Sequence, residues 1–97
     1  MYKRQVEVAP AGQVRGVVED QSGERVMSMV EHRLQGEADW RAPEMAMQGS
    51  YRLRGLAPGR YEVRARSIGA EVGAPSAPVL VEVVAGKTKV ADIVVTR

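Results

Sequence analysis

Apolar and polar residues alternate on both sides of the segment Gly55-Leu-Ala-Pro-Gly59. The apolar members of this alternation are Tyr51, Leu53, Tyr61, Val63 and Ala65. Because successive side chains of a strand point to opposite faces, the pattern predicts two strands whose apolar residues face one core. The period of two continues from Gln13 onward, and no segment long enough for a helix keeps a helical repeat. The chain is therefore predicted to be all-β.

The segment between these two strands has the composition of a tight turn. Pro58 fixes φ near the value that the second position of a turn needs, and Gly59 can adopt the positive φ that the third position of a type II turn requires. We therefore predict a β-hairpin closed by this turn, with Leu56 plugging the end of the core. The fold-defining residues of this hairpin are Gly55, Leu56, Pro58, Gly59 and Tyr61.

Other alternating stretches predict further strands near residues 14–20, 26–34, 45–47, 79–84 and 90–96. Asp20 and Gly23 stand at the first and fourth positions of a type I turn, and a second turn is predicted at 85–87. Residues 35–43 and 73–78 contain Gly or Pro and are predicted to be connections. A length of 97 residues with 44% hydrophobic content suits one small sandwich.

Residues 1–5, Met-Tyr-Lys-Arg-Gln, differ in composition from the rest of the chain. The remainder is rich in Arg, Ala, Gly and Val and has no Asn, which is typical of a high-GC bacterial genome. Codons for 1–5 with a GTG start resemble the end of a transposon adapter used in sequencing libraries. We therefore interpret 1–5 as a sequencing scar and the sequence as a metagenomic fragment, 6–12 as a linker or edge strand that could end a preceding domain, and 13–97 as the sandwich domain.

The charge balance argues against a polyanion as the general partner of this chain. It has 14 basic and 12 acidic side chains, and without Lys3 and Arg4 the two counts are equal at 12. We therefore expect no nucleic-acid binding. No apolar run is long enough to insert into a membrane, no signal peptide is visible in these residues, and cysteine is absent.

Several motifs in a fixed order resemble the carboxypeptidase regulatory-like domain. They are Gly16-Val-Val-Glu-Asp20, Ser22-Gly-Glu24, Gly49-Ser-Tyr-Arg-Leu53, Gly55-Leu-Ala-Pro-Gly-Arg-Tyr-Glu-Val63 and Val83-Val-Ala-Gly-Lys-Thr88. The resemblance covers about residues 13 to 97 and implies a transthyretin-like, seven-stranded Greek-key β-sandwich. It also implies a non-catalytic accessory module of an extracytoplasmic bacterial protein, in the cell envelope or secreted. Neighbouring domains or other proteins would be its partners.

Catalytic and metal chemistry lack their usual residues in this sequence. His32 is the only histidine, it falls within a predicted strand, and no serine has the context of a nucleophile elbow. The related hydroxyisourate hydrolases share the implied fold but need several histidines. With no cysteine and one histidine a zinc site has too few ligands, and Asp20 and Glu24 are explained by the turn without calcium. We predict a protein that is not an enzyme and needs no cofactor.

Four arginines alternate with the inward residues of the predicted hairpin: Arg52, Arg54, Arg64 and Arg66. The alternation predicts that all four lie on the outer face of the hairpin. Guanidinium groups in such a row can bind an acidic glycan or a carboxylate-bearing neighbour. The alternative interpretation is a solvated face balanced by Glu62 and Glu82.

Methionine and tryptophan supply a second candidate surface. Val26-Met-Ser-Met-Val30 has apolar residues on both faces, so whichever set enters the core, the other is exposed or covered by a neighbour; if the valines are buried, that set is Met27 and Met29. Adaptable thioethers suit contact with a neighbouring domain. Trp40, in the long connection, would either cap the edge of the core or stack on a sugar. The family resemblance implies a spacer or protein-interaction domain, and a carbohydrate-binding module using Trp40 and the outward arginines is the alternative.

Overall fold

Strands occupy most of the stretches in which apolar and polar residues alternate. The computed structural model describes residues 11–68 and 73–96. Within them the strands are β1 (Gly12–Asp20), β2 (Ser28–Leu34), β3 (Glu44–Ala46), β4 (Ser50–Leu56), β5 (Gly59–Ser67), β6 (Val79–Val83), β7 (Thr88–Val90) and β8 (Ile93–Val95). These ranges contain no helix, so the predicted all-β class is confirmed for the described part of the chain. The described residues therefore include no helix that is long and apolar enough to cross a membrane.

The eight strands form two sheets. In the first sheet β1 is central, and β4 pairs with one of its edges. β7 and then β8 pair with successive parts of the other edge of β1. β1 runs antiparallel to β4 and parallel to both β7 and β8. The second sheet has the order β3-β2-β5-β6, and all its neighbours are antiparallel. The two sheets pack face to face as a β-sandwich.

The core lies between the inner faces of the two sheets. Its buried apolar residues are Val14, Val18, Val26, Val30, Ala46, Tyr51, Leu53, Leu56, Tyr61, Val63, Ala65, Val83, Ala91, Ile93 and Val95. Each valine or leucine buried in this way contributes about 1.5–3 kcal/mol to folding. The inward residues predicted for the strands around Gly55-Leu-Ala-Pro-Gly59 are all in this set, and so is Leu56, so that part of the prediction is confirmed.

The predicted hairpin between these two strands is wrong. β4 pairs with β1 in the first sheet, whereas β5 pairs with β2 and β6 in the second. The chain therefore crosses from one sheet to the other between Leu56 and Gly59. A hairpin and a crossing both direct alternate residues into one core, which is why alternation predicted the buried residues correctly and the pairing incorrectly.

Backbone angles in the crossing also differ from the predicted type II turn. Gly59 has a φ of 157°, far from the value of about 80° that this turn needs at its third position. The left-handed conformation instead occurs at Gly55, with a φ of 68°. The Tyr61 hydroxyl donates a hydrogen bond to the Ala57 carbonyl at 2.8 Å, which fastens the crossing to the start of β5.

The first crossing between the sheets shortens the second predicted strand. Val26 donates its backbone N–H to the Val18 carbonyl at 3.0 Å and so still belongs beside the first sheet. Ser28 begins β2 in the second sheet, and its buried hydroxyl donates to the Val26 carbonyl at 2.9 Å. The strand predicted at 26–34 therefore starts two residues later, and Met27 lies in the passage between sheets.

The last predicted strand is divided into β7 and β8, so the described part of the chain has eight strands where seven were predicted. Between them, Ala91 donates its N–H to the Arg15 carbonyl at 2.8 Å. The Asp92 carboxylate accepts the Val17 N–H at 3.0 Å, in place of a backbone partner. The Greek-key order remains a prediction.

Both predicted turns are confirmed by hydrogen bonds between first and fourth residues. Gly23 donates to the Asp20 carbonyl at 3.0 Å, and Lys87 donates to the Val84 carbonyl at 3.1 Å. Residues 35–43 and 73–78 contain no strand, as predicted. The scar predicted at 1–5 and nearly all of the segment 6–12 lie outside the described residues, while Gly12 already belongs to β1.

Candidate functional site

The four arginines of the predicted patch lie on opposite sides of the sandwich, so they do not form one surface. Arg52 and Arg54 occupy the outward positions of β4 in the first sheet, whereas Arg64 and Arg66 occupy those of β5 in the second. The patch was predicted on the assumption that β4 and β5 pair. Because the chain changes sheets between them, the same alternation directs the two pairs of side chains away from each other.

On the second sheet, the arginines are neutralised by glutamates of the adjacent strand. Arg64 Nε lies 2.9 Å from Glu31 Oε1, and Arg33 Nε lies 2.7 Å from Glu62 Oε1. Both pairs are directly opposite in the β2–β5 register, and their side chains are only 18–24% exposed. Arg66 Nε approaches the same Glu31 oxygen at 3.6 Å. Opposite charges facing each other across strands stabilise the sheet and leave little free charge for a ligand.

Trp40 lies over the outer face of the second sheet and is not part of the buried core. The centroid of its indole ring is 4.3 Å from Cζ of Arg33 and 4.0 Å from Cζ of Arg64, which are cation–π distances. Arg33 also donates to the Ala38 carbonyl at 3.1 Å, which holds the connection against the sheet. The predicted cap at the core edge is therefore wrong. The connection folds across the sheet and places the ring on the arginines.

Methionines form an apolar patch at the edge of the same outer face. Met29 is directly opposite Met45 in the β2–β3 register, and Met27 and Met45 are 39% and 43% exposed. Val26 and Val30 are buried, so the prediction that the methionines face outward in that case is confirmed. Contact of this patch with a neighbouring domain stays a prediction.

The outer face of the first sheet carries a different group of arginines. Arg15, Arg25, Arg52 and Arg54 line a depression with a volume of about 890 Å³, together with Asp92 and other residues. The depression extends to Glu44 and Met45 of β3, the edge strand of the second sheet. All four arginines are exposed, and none takes part in the ion pairs formed among residues 11–68 and 73–96. Sequence reasoning missed Arg15 and Arg25. The alternation along β1 could have placed Arg15 on the outer face. Its position beside Arg52 depends on the pairing of strands, which the alternation does not show.

His32 lies on the inward side of β2, opposite Val63 of β5. Its Nδ1 is buried and has no hydrogen-bond partner among the residues that the structure describes, and its ring centroid is 5.9 Å from that of Tyr61. Burial lowers the pKa of His32, and the nearby positive charge of Arg41 lowers it further, against a smaller opposing effect of Glu37. The neutral imidazole is therefore favoured. Within the described ranges, no three His, Cys, Asp or Glu side chains are grouped to hold a metal.

Two sheets packed face to face, without helices in the described residues, define a β-sandwich domain. No family model matches the sequence, and no curated protein matches it either. Solved structures match the fold. The Bacillus anthracis TIE protein matches with a TM-score of 0.69 and 19% identity, over 91% of this chain and 17% of that one.

Two other solved structures resemble the chain over most of its length. A minor pilin of the Gram-positive pathogen Streptococcus agalactiae matches with a TM-score of 0.66 and 15% identity, over 93% of this chain and 46% of that one. A DUF3823 family protein from Parabacteroides merdae matches with a TM-score of 0.59 and 19% identity, over 92% and 47%. This chain spans less than half the length of each of the three. At these identities the likeness shows the fold alone.

Proposed function

We propose that this chain is a non-catalytic accessory module of a larger bacterial envelope or secreted protein, acting as a structural spacer or protein-interaction domain. The observation that carries the proposal is that the same fold occurs as one part of longer chains, 17% of the Bacillus anthracis protein and 46% of the minor pilin. The inference to a shared role is by analogy, because one fold can serve many functions. The resemblance of residues 13–97 to carboxypeptidase regulatory-like domains supports the same role and an extracytoplasmic location.

The distribution of side chains supports this proposal. The interior is apolar apart from a few residues such as Ser28, whose hydroxyl is hydrogen-bonded. The charged groups and the exposed methionines lie on the outer faces of the two sheets, where another domain can contact them.

Deleting residues 13–97 from the full-length parent protein tests the proposal. We expect the neighbouring domains to keep their specific activities, while their melting temperature falls or partner capture is lost. A parent that loses chemical turnover while its other domains stay folded would contradict a non-catalytic role. So would turnover of substrate by the isolated chain.

A carbohydrate-binding function is the second candidate, and the observation that favours it is the partly exposed Trp40 ring. Arg52 and Arg54 lie on the other side of the sandwich, so the sugar site would consist of Trp40 with Arg33 and Arg64. A glycan array probed with the 97-residue chain separates the two candidates. The spacer or interaction role predicts no saturable hits. Saturable binding that Trp40→Ala abolishes would support the carbohydrate function.

A further inference from the structure

The concave outer face of the first sheet combines positive charge with a shape that can receive a ligand. We call Arg15, Arg25, Arg52 and Arg54 the arginine surface. Arg15 and Arg52 are directly opposite each other across β1 and β4. Like charges in that position are destabilising, and a bound anion relieves the repulsion. On the second sheet each of Arg33 and Arg64 faces a glutamate. On the first sheet Arg25 is opposite Glu19 in an isolated bridge, whereas Arg15 and Arg52 face each other.

Few negative charges are available within the surface to neutralise these guanidinium groups. Of residues 11–68 and 73–96, the acidic ones that line it are Glu44 and Asp92. Asp92 Oδ1 accepts the Val17 N–H at 3.0 Å and the carboxylate keeps its negative charge, so two carboxylates accompany four guanidinium groups in this lining. Guanidinium groups bind carboxylates through paired, charge-assisted hydrogen bonds, and more strongly where a concave site limits hydration. The chemistry of the surface therefore favours an anionic ligand.

Apolar groups next to the arginines restrict the kind of anion. Val90 and Met45 line the same surface and are 60% and 43% exposed. Among the described residues, the aromatic residue in the lining is Tyr51, whose side chain is buried and whose hydroxyl donates to the Ala91 carbonyl. A sugar therefore finds no exposed aromatic ring to stack on here. A polypeptide that carries both carboxylates and apolar side chains can use the whole surface.

The spacing of the arginines matches an extended chain. Arg52 and Arg54 are alternate residues of β4, so their Cα atoms are about 7 Å apart. Alternate side chains of an extended peptide recur at the same distance and point to one side. We propose that the arginine surface binds an extended acidic polypeptide segment with carboxylates at alternate positions. This rests on the proposed function, because it identifies the partner surface of an interaction domain.

Two synthetic peptides of equal charge test the match in spacing. One alternates Glu and Thr over ten residues, and the other has the same composition with its glutamates contiguous. Fluorescence anisotropy with the 97-residue chain should show binding of the alternating peptide that weakens with salt and is about fivefold tighter than that of the block peptide. Equal affinity for the two peptides would show that the spacing of the carboxylates does not matter, and would overturn the proposal.

Substitution of arginines tests which face of the domain binds the alternating peptide. The triple substitution Arg15→Gln, Arg52→Gln, Arg54→Gln should weaken binding about tenfold or more. The control Arg60→Gln, Arg66→Gln, Lys87→Gln removes the same charge from exposed or partly exposed positions away from the arginine surface, and should change affinity less than about twofold. An equal loss in both would show non-specific attraction and overturn the proposal. The first variant removes a like-charge pair, so we expect its melting temperature to be no lower than that of the wild type. Measuring that temperature excludes unfolding as the cause of weaker binding.

A sulfated polysaccharide serves as the competing anion. If heparin binds the arginine surface as tightly as the alternating peptide and with the same sensitivity to the triple substitution, the surface recognises polyanions in general and the proposal is wrong. If no peptide binds but deletion of residues 13–97 still destabilises the neighbouring domains, the arginine-surface proposal fails and the proposed function stands.

Discussion

The carbonyl oxygen of Ala91 lies so close to Gly16 that a Cβ atom built on Gly16 would come within 2.1 Å of it. The backbone between β7 and β8 therefore presses directly against the centre of β1. No residue larger than glycine can occupy that position without moving the backbone.

Gly16→Ala should consequently be among the most damaging small substitutions in the chain. The new methyl group must displace the Ala91 backbone, and we expect the free energy of unfolding to fall by about 3 kcal/mol in urea titrations. Gly23→Ala is the control, because its φ is 89° but nothing lies within 4 Å of the added Cβ. That variant should lose only about 1 kcal/mol. Equal losses in the two variants would show that the close approach to Ala91 has no cost beyond that of a strained backbone angle at Gly23, and would contradict the prediction.

Tyr51 should make the fold sensitive to alkaline pH. Burial raises the pKa of its hydroxyl well above the ordinary value of 10.0, and the negative charge of Asp92 raises it further. Above that ordinary value the unfolded state loses the Tyr51 proton first, so the free energy of unfolding should fall with pH, at a limiting slope of about 1.4 kcal/mol per unit. Tyr51→Phe should remove this part of the decline, whereas Tyr61→Phe should retain it. The same alkaline decline in Tyr51→Phe would contradict the assignment.

His32 should have the opposite effect at acidic pH. Burial lowers its pKa below the ordinary value of 6.5, with a further contribution from Arg41. As pH falls below that value the unfolded state binds a proton before the folded state does, so stability decreases until the folded pKa is passed. Because His32 is the only histidine, its NMR titration is unambiguous. A titration midpoint at or above 6.5, or an unchanged acid dependence in His32→Leu, would refute this prediction.

Arg64 should stabilise the second sheet through two contacts at once. It pairs with Glu31 at 2.9 Å and lies 4.0 Å from the centroid of the Trp40 ring. We expect Arg64→Gln to lower the free energy of unfolding by about 1–2 kcal/mol and to increase quenching of Trp40 fluorescence by an aqueous quencher. Arg60→Gln, at an exposed position of the same strand, should change the free energy of unfolding by less than about 0.5 kcal/mol. Unchanged quenching in Arg64→Gln would show that Arg64 does not shield the Trp40 ring from solvent.

Alternation predicted which residues are buried but not which strands are neighbours. Tyr51 and Tyr61 were both correctly assigned to the core, since the direction of a side chain depends only on its own strand. Pairing depends on contacts between distant residues, and the crossing at Leu56 to Gly59 has the same Gly and Pro composition as a hairpin turn. The error in pairing then carried over to the predicted arginine patch.

The candidate surfaces were predictable only where a local pattern described them. The pattern around Met27 and Met29 showed that one of two apolar sets must face away from the core, and burial of Val26 and Val30 decides which. Arg15 meets Arg52 only through the pairing of β1 with β4, which no local pattern reveals. Trp40 belongs to a connection without periodicity, and its place over Arg33 and Arg64 follows from how that connection folds back.

The parallel pairing of β1 with β7 and β8 also has a mechanical consequence. The chain enters β1 at Gly12 and leaves β8 at Val95, at opposite ends of the same pair of aligned strands. A pulling force applied between these two residues acts along the strands, so the hydrogen bonds between them are sheared together and are not peeled apart one at a time. The sandwich is thus oriented to carry tension along its length, with Gly16 and Ala91 in close contact near the middle of the loaded strands.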